Sequence, residues 1–202
     1  MTTLKNLCGA MAFACLVPPQ FGHAGGKDGE FVIRGIGYQQ CAYINQDYSQ
    51  NNIKQMELAS WISGYVTHTN KTTDAIVDWL PIGDTSQFAA LVSILCKSQP
   101  SYQIQDVVAA LGRHFEPYHV HNKGVFQVVK SESHQVAIRP ETIEVVQGLL
   151  AAQGYLPKED VDGEFGPKTS QAILKFQEKT GRIQKTGVPD ILTLFALLDR
   201  NK

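Results

Sequence analysis

The hydrophobic positions fall into four patterns along the chain. The first is a continuous apolar run, Leu7 to Val17, behind Lys5 and ended by Pro18-Pro19. It has the length of the apolar region of an export signal and is too short to span a bilayer. Gly22-His23-Ala24 places small residues at the −3 and −1 positions of a signal-peptidase site, so cleavage is expected between Ala24 and Gly25. Two other readings compete: lipid modification at Cys15, against which bulky Phe13 argues, and a buried N-terminal helix. Residues 25–37 are rich in glycine and are expected to be a flexible segment.

The second pattern has helical spacing. Asn51 to Asn70 carries Ile53, Met56, Trp61, Ile62 and Tyr65, with Asn51 or Asn52 as cap. Asp84 or Thr85 is placed to cap a helix over Ser86–Lys97, whose apolar positions are Phe88, Leu91, Val92 and Leu95. Gln99-Pro100-Ser101 reads as a stop and restart, with Ser101 capping a third helix that carries Ile104, Val107, Val108 and Leu111 and ends near Phe115. Residues 38–115 are thus expected to form a helical domain. In residues 116–139 the pattern changes to the β-branched runs Val125–Lys130 and Gln135–Ile138, which fit either a short hairpin or an extended linker.

The fourth pattern repeats. Pro140 suits a first helical turn, Ile143, Val146, Leu149 and Leu150 give an apolar face, and Gly154 ends the helix. Asp162-Gly163 is a tight-turn dipeptide. Gly166 as cap and Pro167 as first helical residue open a helix bearing Thr169, Ala172, Ile173 and Phe176, which Gly181 terminates. The turn-to-helix unit then recurs at an offset of 24 residues: Thr186-Gly187 for Asp162-Gly163, Asp190 for Gly166, Thr193 for Thr169. An initial helix and two such units predict a compact three-helix domain over residues 140–202. Its core would be Ile143, Val146, Leu150, Phe165, Ile173, Phe176, Leu194 and Leu198. The fold class is therefore mainly α: a helical domain, a short β-prone linker and a C-terminal three-helix domain.

Charge narrows the function classes. Of 202 residues, 18 are Lys or Arg and 19 Asp or Glu, a net charge of −1. The two signs are spread evenly, so the basic patch of a nucleic-acid binder is missing. Four cysteines are present, and export would remove Cys8 and Cys15 with the signal. In an oxidising compartment the remaining pair, Cys41 and Cys96, is expected to form a disulfide, worth about 4 kcal/mol in the chain-entropy account. Two buried thiols are the bland alternative.

Gly-Tyr-Leu at 154–156, Asp-Gly-x-Phe-Gly-Pro-x-Thr at 162–169, Ala-Ile-x-x-Phe-Gln at 172–177 and Thr-Gly-x-x-Asp-x-x-Thr at 186–193, behind a leading helix, together resemble the peptidoglycan-binding-domain-1 family over Pro140 to Leu198. The resemblance implies a module that docks on bacterial peptidoglycan and commonly tethers another domain. The charged loop Leu156–Val161 departs from the pattern. Muropeptides offer amide, hydroxyl and carboxylate groups, so a shallow polar groove with an aromatic face suits them. Tyr155, Asp162, Gly163, Gly166, Thr169 and Gln177 are the candidate contacts, and the free N–H groups of the helix at Pro167 suit a stem-peptide carboxylate. Each has a structural alternative, since such glycines and aspartates form turns. More distantly, Cys41, Trp61-x-x-Gly64-Tyr65 and Cys96-x-x-x-Pro100 resemble small periplasmic helical domains such as HdeA-type acid-stress chaperones and immunity proteins that block wall amidases, which implies protein binding without chemistry.

Catalytic constellations are thin. His119-Val120-His121 lacks the further ligands that a metal site requires. Glu57 with Asp74 or Asp78 is a carboxylate pairing that the sequence leaves open to a muramidase. No cofactor or metal is expected. The leading expectation is a non-catalytic exported protein, periplasmic and wall-associated, with no membrane span after signal cleavage. It would bind peptidoglycan through its C-terminal domain and an envelope protein through its N-terminal one. The alternative is a wall-remodelling enzyme whose catalytic domain is residues 38–115.

Overall fold

The computed structural model describes residues 30–45, 52–132 and 134–199. The expected export signal, Cys8, Cys15 and Asn51 lie outside the described residues. A 3-10 turn at Gly35–Tyr38 leads into α1 (Ala42–Asn45), α2 (Asn52–Thr72), α3 (Thr85–Ser98) and α4 (Ile104–His114). An antiparallel hairpin follows, β1 (Gln127–Lys130) and β2 (Gln135–Ile138), and then α5 (Pro140–Ala152), α6 (Pro167–Thr180) and α7 (Ile191–Leu197). No helix among the described residues is long and apolar enough to cross a membrane.

The Cys41–Cys96 disulfide is formed and fully buried. It fastens the turn before α1 to the end of α3. Backbone hydrogen bonds reinforce the join: Cys41 N–H donates to Tyr102 O at 2.8 Å, Ala42 N–H to Pro100 O at 2.8 Å and Ile104 N–H to Gln39 O at 2.9 Å. These bonds hold a turn at 99–102 and an extended Gln103 against residues 39–42, which is why α4 starts at Ile104 with Gln103, not Ser101, at its N-cap position. Asp84 caps α3 as the sequence indicates, accepting from Ser86 N–H at 2.9 Å.

The stripe read on α2 needs correction. Leu58, Ile62 and Val66 are the buried line, Trp61 and Tyr65 are half-buried, and Ile53 and Met56 are 73% and 68% exposed. Geometry explains the error. At about 100° per residue, the nine positions from Ile53 to Ile62 amount to half a turn beyond two full ones, which puts Ile53 on the opposite face. Glycine is required where tryptophans press on backbone. A Cβ at Gly112 in α4 would sit 1.4 Å from the Trp79 ring, and one at Gly37 would sit 2.0 Å from that of Trp61.

The stretch 116–139 is woven into both flanking regions. Asp78 pairs with Val120 and Ile82 with Ile138 as isolated bridges. Arg139 Nη1 donates to Asp78 Oδ2 at 2.8 Å, with side chains 10% and 18% exposed, and its guanidinium lies 3.8 Å over the Phe126 ring. The Glu141 carboxylate accepts from the backbone N–H of His121 and Asn122. Behind these contacts one hydrophobic cluster runs without a break from Ile36 to Leu197. A lone partner of a buried ion pair is costly, so this junction fixes orientation.

Candidate functional site

The C-terminal three helices are organised by two buried glutamines. Both side chains are 0% exposed. Gln147, on α5, accepts through Oε1 from the backbone N–H of Asp162 (3.0 Å) and Gly163 (2.7 Å). Its Nε2 donates to Asp162 Oδ1 (2.8 Å), Glu164 O (3.0 Å) and Thr169 Oγ1 (3.1 Å). Gln177, on α6, does the same one unit later. It accepts from Thr186 N–H (2.9 Å) and Gly187 N–H (3.0 Å) and donates to Thr186 Oγ1 (2.8 Å), Val188 O (3.4 Å) and Thr193 Oγ1 (2.8 Å). Each turn passes through a glycine in the left-handed region, Gly163 at φ 74° and Gly187 at φ 68°. Such a turn leaves two adjacent N–H groups pointing inward, and one primary amide satisfies both while spending its own donors nearby.

The predicted site residues therefore separate into groups. Asp162, Gly163 and Thr169 are brought together by Gln147, and Gly163 and Thr169 are buried there. Gln177 belongs to the second hub and its amide is fully engaged inside the chain. Tyr155 is half-buried and meets the Phe176 ring edge to face at 5.7 Å. Gly166 and Pro167 start α6 as expected, and no side chain caps that end. Asp162 is exposed, and its carboxyl is held below the usual carboxylate range, first by the Gln147 amide and then by Glu164 N–H. Lys168 lies nearby, ion-paired with Asp160 at 2.6 Å. The surface around Asp162, Gly166 and Lys168 thus offers a carboxylate, an ammonium and backbone donors to a polar ligand.

Gln147 was missed in the sequence. The signal existed, since each glutamine precedes a turn glycine and a threonine. The inserted 3-10 turn Lys158–Asp160 breaks the spacing, so the glutamines stand 30 residues apart (147 to 177) while the turns stand 24 apart.

The second unit is covered. Tyr118 Oη donates to Leu194 O at 3.2 Å, His114 Nε2 faces Phe195 O at 3.3 Å, and Gln153 Nε2 donates to Leu197 O at 3.4 Å. The last carbonyls of α7 lack intrahelical partners, and two of these caps come from the N-terminal region. The His114 ring also stacks on Phe195 at 4.7 Å. Burial pushes His114 below the ordinary imidazole value and the Tyr118 phenol above its own.

In the N-terminal region, Glu57 lines an open cavity of about 390 Å³ with Val32, Arg34, Tyr38 and Tyr43. The exposed Phe31, Ile53 and Met56 belong to the same two segments. Asp78 is committed to Arg139 and to Leu80 N–H. His119 and His121 each turn a ring nitrogen to a backbone carbonyl, Gly112 and Ala75, and no metal-binding cluster occurs among the described residues.

Residues 139–197 match the model of the family described as "Putative peptidoglycan binding domain". No curated protein and no solved structure matches the chain. The matched segment runs from Arg139 to Leu197 and contains both glutamine hubs, so the similarity to a peptidoglycan-binding domain covers the C-terminal three-helix unit.

Proposed function

We propose that the protein is an exported, non-catalytic wall-binding protein that holds a second envelope protein at the peptidoglycan through its N-terminal helices. The observation that carries this reading is the family match at residues 139–197 on a module whose first turn-to-helix unit is open to solvent. The wall contact is assigned to Tyr155, Asp162 and Gly166, with Lys168 beside them. Gly163 and Thr169 shape that surface from beneath, while Gln177 holds the second turn. The buried disulfide fits an oxidising compartment. The partner surface is assigned to the strip around Tyr43, Ile53 and Met56, since exposed aromatic and methionine side chains beside a cavity suit a protein contact.

The test is co-sedimentation of the chain from Gly25 onward with insoluble peptidoglycan, following muropeptide release by chromatography in the same tubes. Substitutions suit it better than truncation at Arg139, which would cut through the shared core. Tyr155→Ala and Lys168→Glu are expected to weaken sedimentation several-fold, while Lys71→Glu on α2 leaves it unchanged. Released fragments would make the wall-remodelling enzyme the leading reading. Failure of the unmodified chain to sediment would remove the wall-binding claim.

A further inference from the structure

The open cavity of the N-terminal region has fixed walls. The segment 32–39, Tyr43 of α1 and Glu57 of α2 line about 390 Å³ of space, near the small end of the ~300–1,000 Å³ of ligand sites. Trp61 Nε1 donates to Arg34 O at 2.8 Å, and the Trp61 ring lies against Gly35 and Gly37. Ile104 N–H donates to Gln39 O at 2.9 Å, and the Cys41–Cys96 disulfide fastens the chain just before α1. A cavity on backbone pinned in this way loses little freedom when a ligand enters.

The lining carries charges of both signs. Arg34 and Glu57 are exposed, and they do not bridge each other across the cavity. The ion pairs among the described residues are Arg139–Asp78, Lys168–Asp160 and Lys185–Glu178, so none engages either group. Lys54, a further cation beside the cavity, is held 4.6 Å over the Tyr43 ring and donates to Tyr43 O at 3.1 Å. Tyr38 and Tyr43 add phenol rings that are 61% and 37% exposed. Unlike charges held apart beside aromatic surface suit a short chain that bears a carboxylate, an ammonium and small apolar groups.

We propose that this cavity is a second wall-ligand site and takes the peptide stem of peptidoglycan, with Arg34 meeting a stem carboxylate and Glu57 the free amine of a stem that is not cross-linked. The guanidinium fork matches a carboxylate in shape as well as charge. The rings of Tyr38 and Tyr43 meet the alanine methyl groups. The proposal rests on the wall-binding reading for its ligand class and adds a contact outside the three-helix unit. A stem is favoured over a folded protein because the cavity is small and bears both charges, while the exposed Ile53 and Met56 are not part of its lining. Cross-linking turns the stem amine into an amide, so the cavity selects stems that are still open. Two sites on one chain raise its avidity for a wall in which stems repeat.

Isothermal titration calorimetry with a synthetic stem tetrapeptide tests this. The peptide is acetylated at its first residue, as the wall acylates it, and carries diaminopimelate at its third. The chain from Gly25 onward carries Tyr155→Ala and Lys168→Glu, which weaken the C-terminal contact, and is expected to bind one peptide. Adding Arg34→Glu or Glu57→Gln should weaken binding about ten-fold. Circular dichroism should not change, since both side chains are exposed. Acetylating the side-chain amine of the peptide should weaken binding by a similar factor, and should add nothing once Glu57→Gln is in place. A peptide that does not bind, binding that both substitutions leave unchanged, or an acetylation effect that persists in full with Glu57→Gln would overturn the proposal. Insoluble wall does not enter this titration, so its failure and failure of the wall-binding reading are told apart.

Discussion

The two glutamine-centred turns are nearly superimposable in chemistry and opposite in surroundings. Around Gln147 the turn is Asp162-Gly163-Glu164, with both carboxylates exposed and the following helix uncapped by any side chain. Around Gln177 the turn is Thr186-Gly187-Val188, all buried, and Asp190 caps α7 by accepting from Thr193 N–H at 2.9 Å. The helix of the second unit then lies against His114, Phe115 and Tyr118 of the N-terminal region. One hub design thus serves two ends. Where the helix is pressed between regions, the turn closes with threonine and a side-chain cap. Where the surface is open, aspartate and glycine leave charge and backbone donors available.

The largest effects should separate the hubs. Gln177→Ala strands two buried N–H groups and takes a donor from the hydroxyls of Thr186 and Thr193, which keep only Asp190 and the Val188 carbonyl, with no solvent to replace the amide. At ~1–3 kcal/mol for each unsatisfied group, offset by local relaxation, the loss should be about 4 kcal/mol. Gln147→Ala removes an equivalent set, but the Asp162 and Glu164 side of its turn is open to water. That loss should be about 2 kcal/mol. Urea unfolding of the two variants measures the difference directly. Equal losses would mean that the exposed turn is as dry as the buried one, and the contrast between the units would fail.

A smaller effect probes the cover on α7. Tyr118→Phe removes one donor from Leu194 O and should cost about 1 kcal/mol. His114 adds a pH dependence. Its imidazole is held below its ordinary value by burial, offset in part by the Phe195 carbonyl and by Asp199, the charged group that faces it. The folded chain therefore binds fewer protons than the unfolded one. The contribution of His114 is fully present above about pH 6.5 and is lost as pH falls through that value, levelling off below the folded one. His119, also lowered by burial first, acts in the same direction. His114→Gln should flatten part of the slope in thermal unfolding between pH 7 and 5.

Local signals carried most of the helices. Asp84, Gly166-Pro167, Gly181 and Asp190 stand where caps and stops were read, because capping depends on the few residues beside it. Of the core read for the three-helix region, Ile143, Val146, Leu150, Ile173, Phe176 and Leu194 are fully buried. Ser101 and the α2 stripe misled for different reasons. Pairing of residues 100–104 with 39–42 overrode a local cap, and Ile53 was counted by residue type without following its angle around the helix. The hubs were half legible. Their glycines and threonines repeat at a fixed spacing, but the amide that joins them comes from the preceding helix across a loop of variable length. The contact between α7 and the N-terminal region left no periodic trace, because His114, Tyr118 and Phe195 meet only through the tertiary fold.

The finest discrimination between the two units is their one chemical difference at the hub itself. Asp162 accepts from Gln147 and from Glu164 N–H, where Thr186 in the second unit offers a hydroxyl. The Asp162 carboxyl is held low chiefly by the Gln147 amide, so its contribution is present above the ordinary carboxylate value and is lost as pH falls through the lowered one. Asp162→Asn keeps the shape and one acceptor oxygen while removing the charge. The variant should fall slightly below the unmodified chain in stability at pH 7, and the gap should narrow as pH falls below the ordinary carboxylate value. In sedimentation with peptidoglycan the same substitution should weaken binding at pH 7, whereas Thr186→Ser, its counterpart in the buried unit, should leave binding unchanged. If Thr186→Ser weakened binding and Asp162→Asn did not, the open surface would not be the one that meets the wall, and the covered unit would have to be exposed by a movement of α7 away from Tyr118.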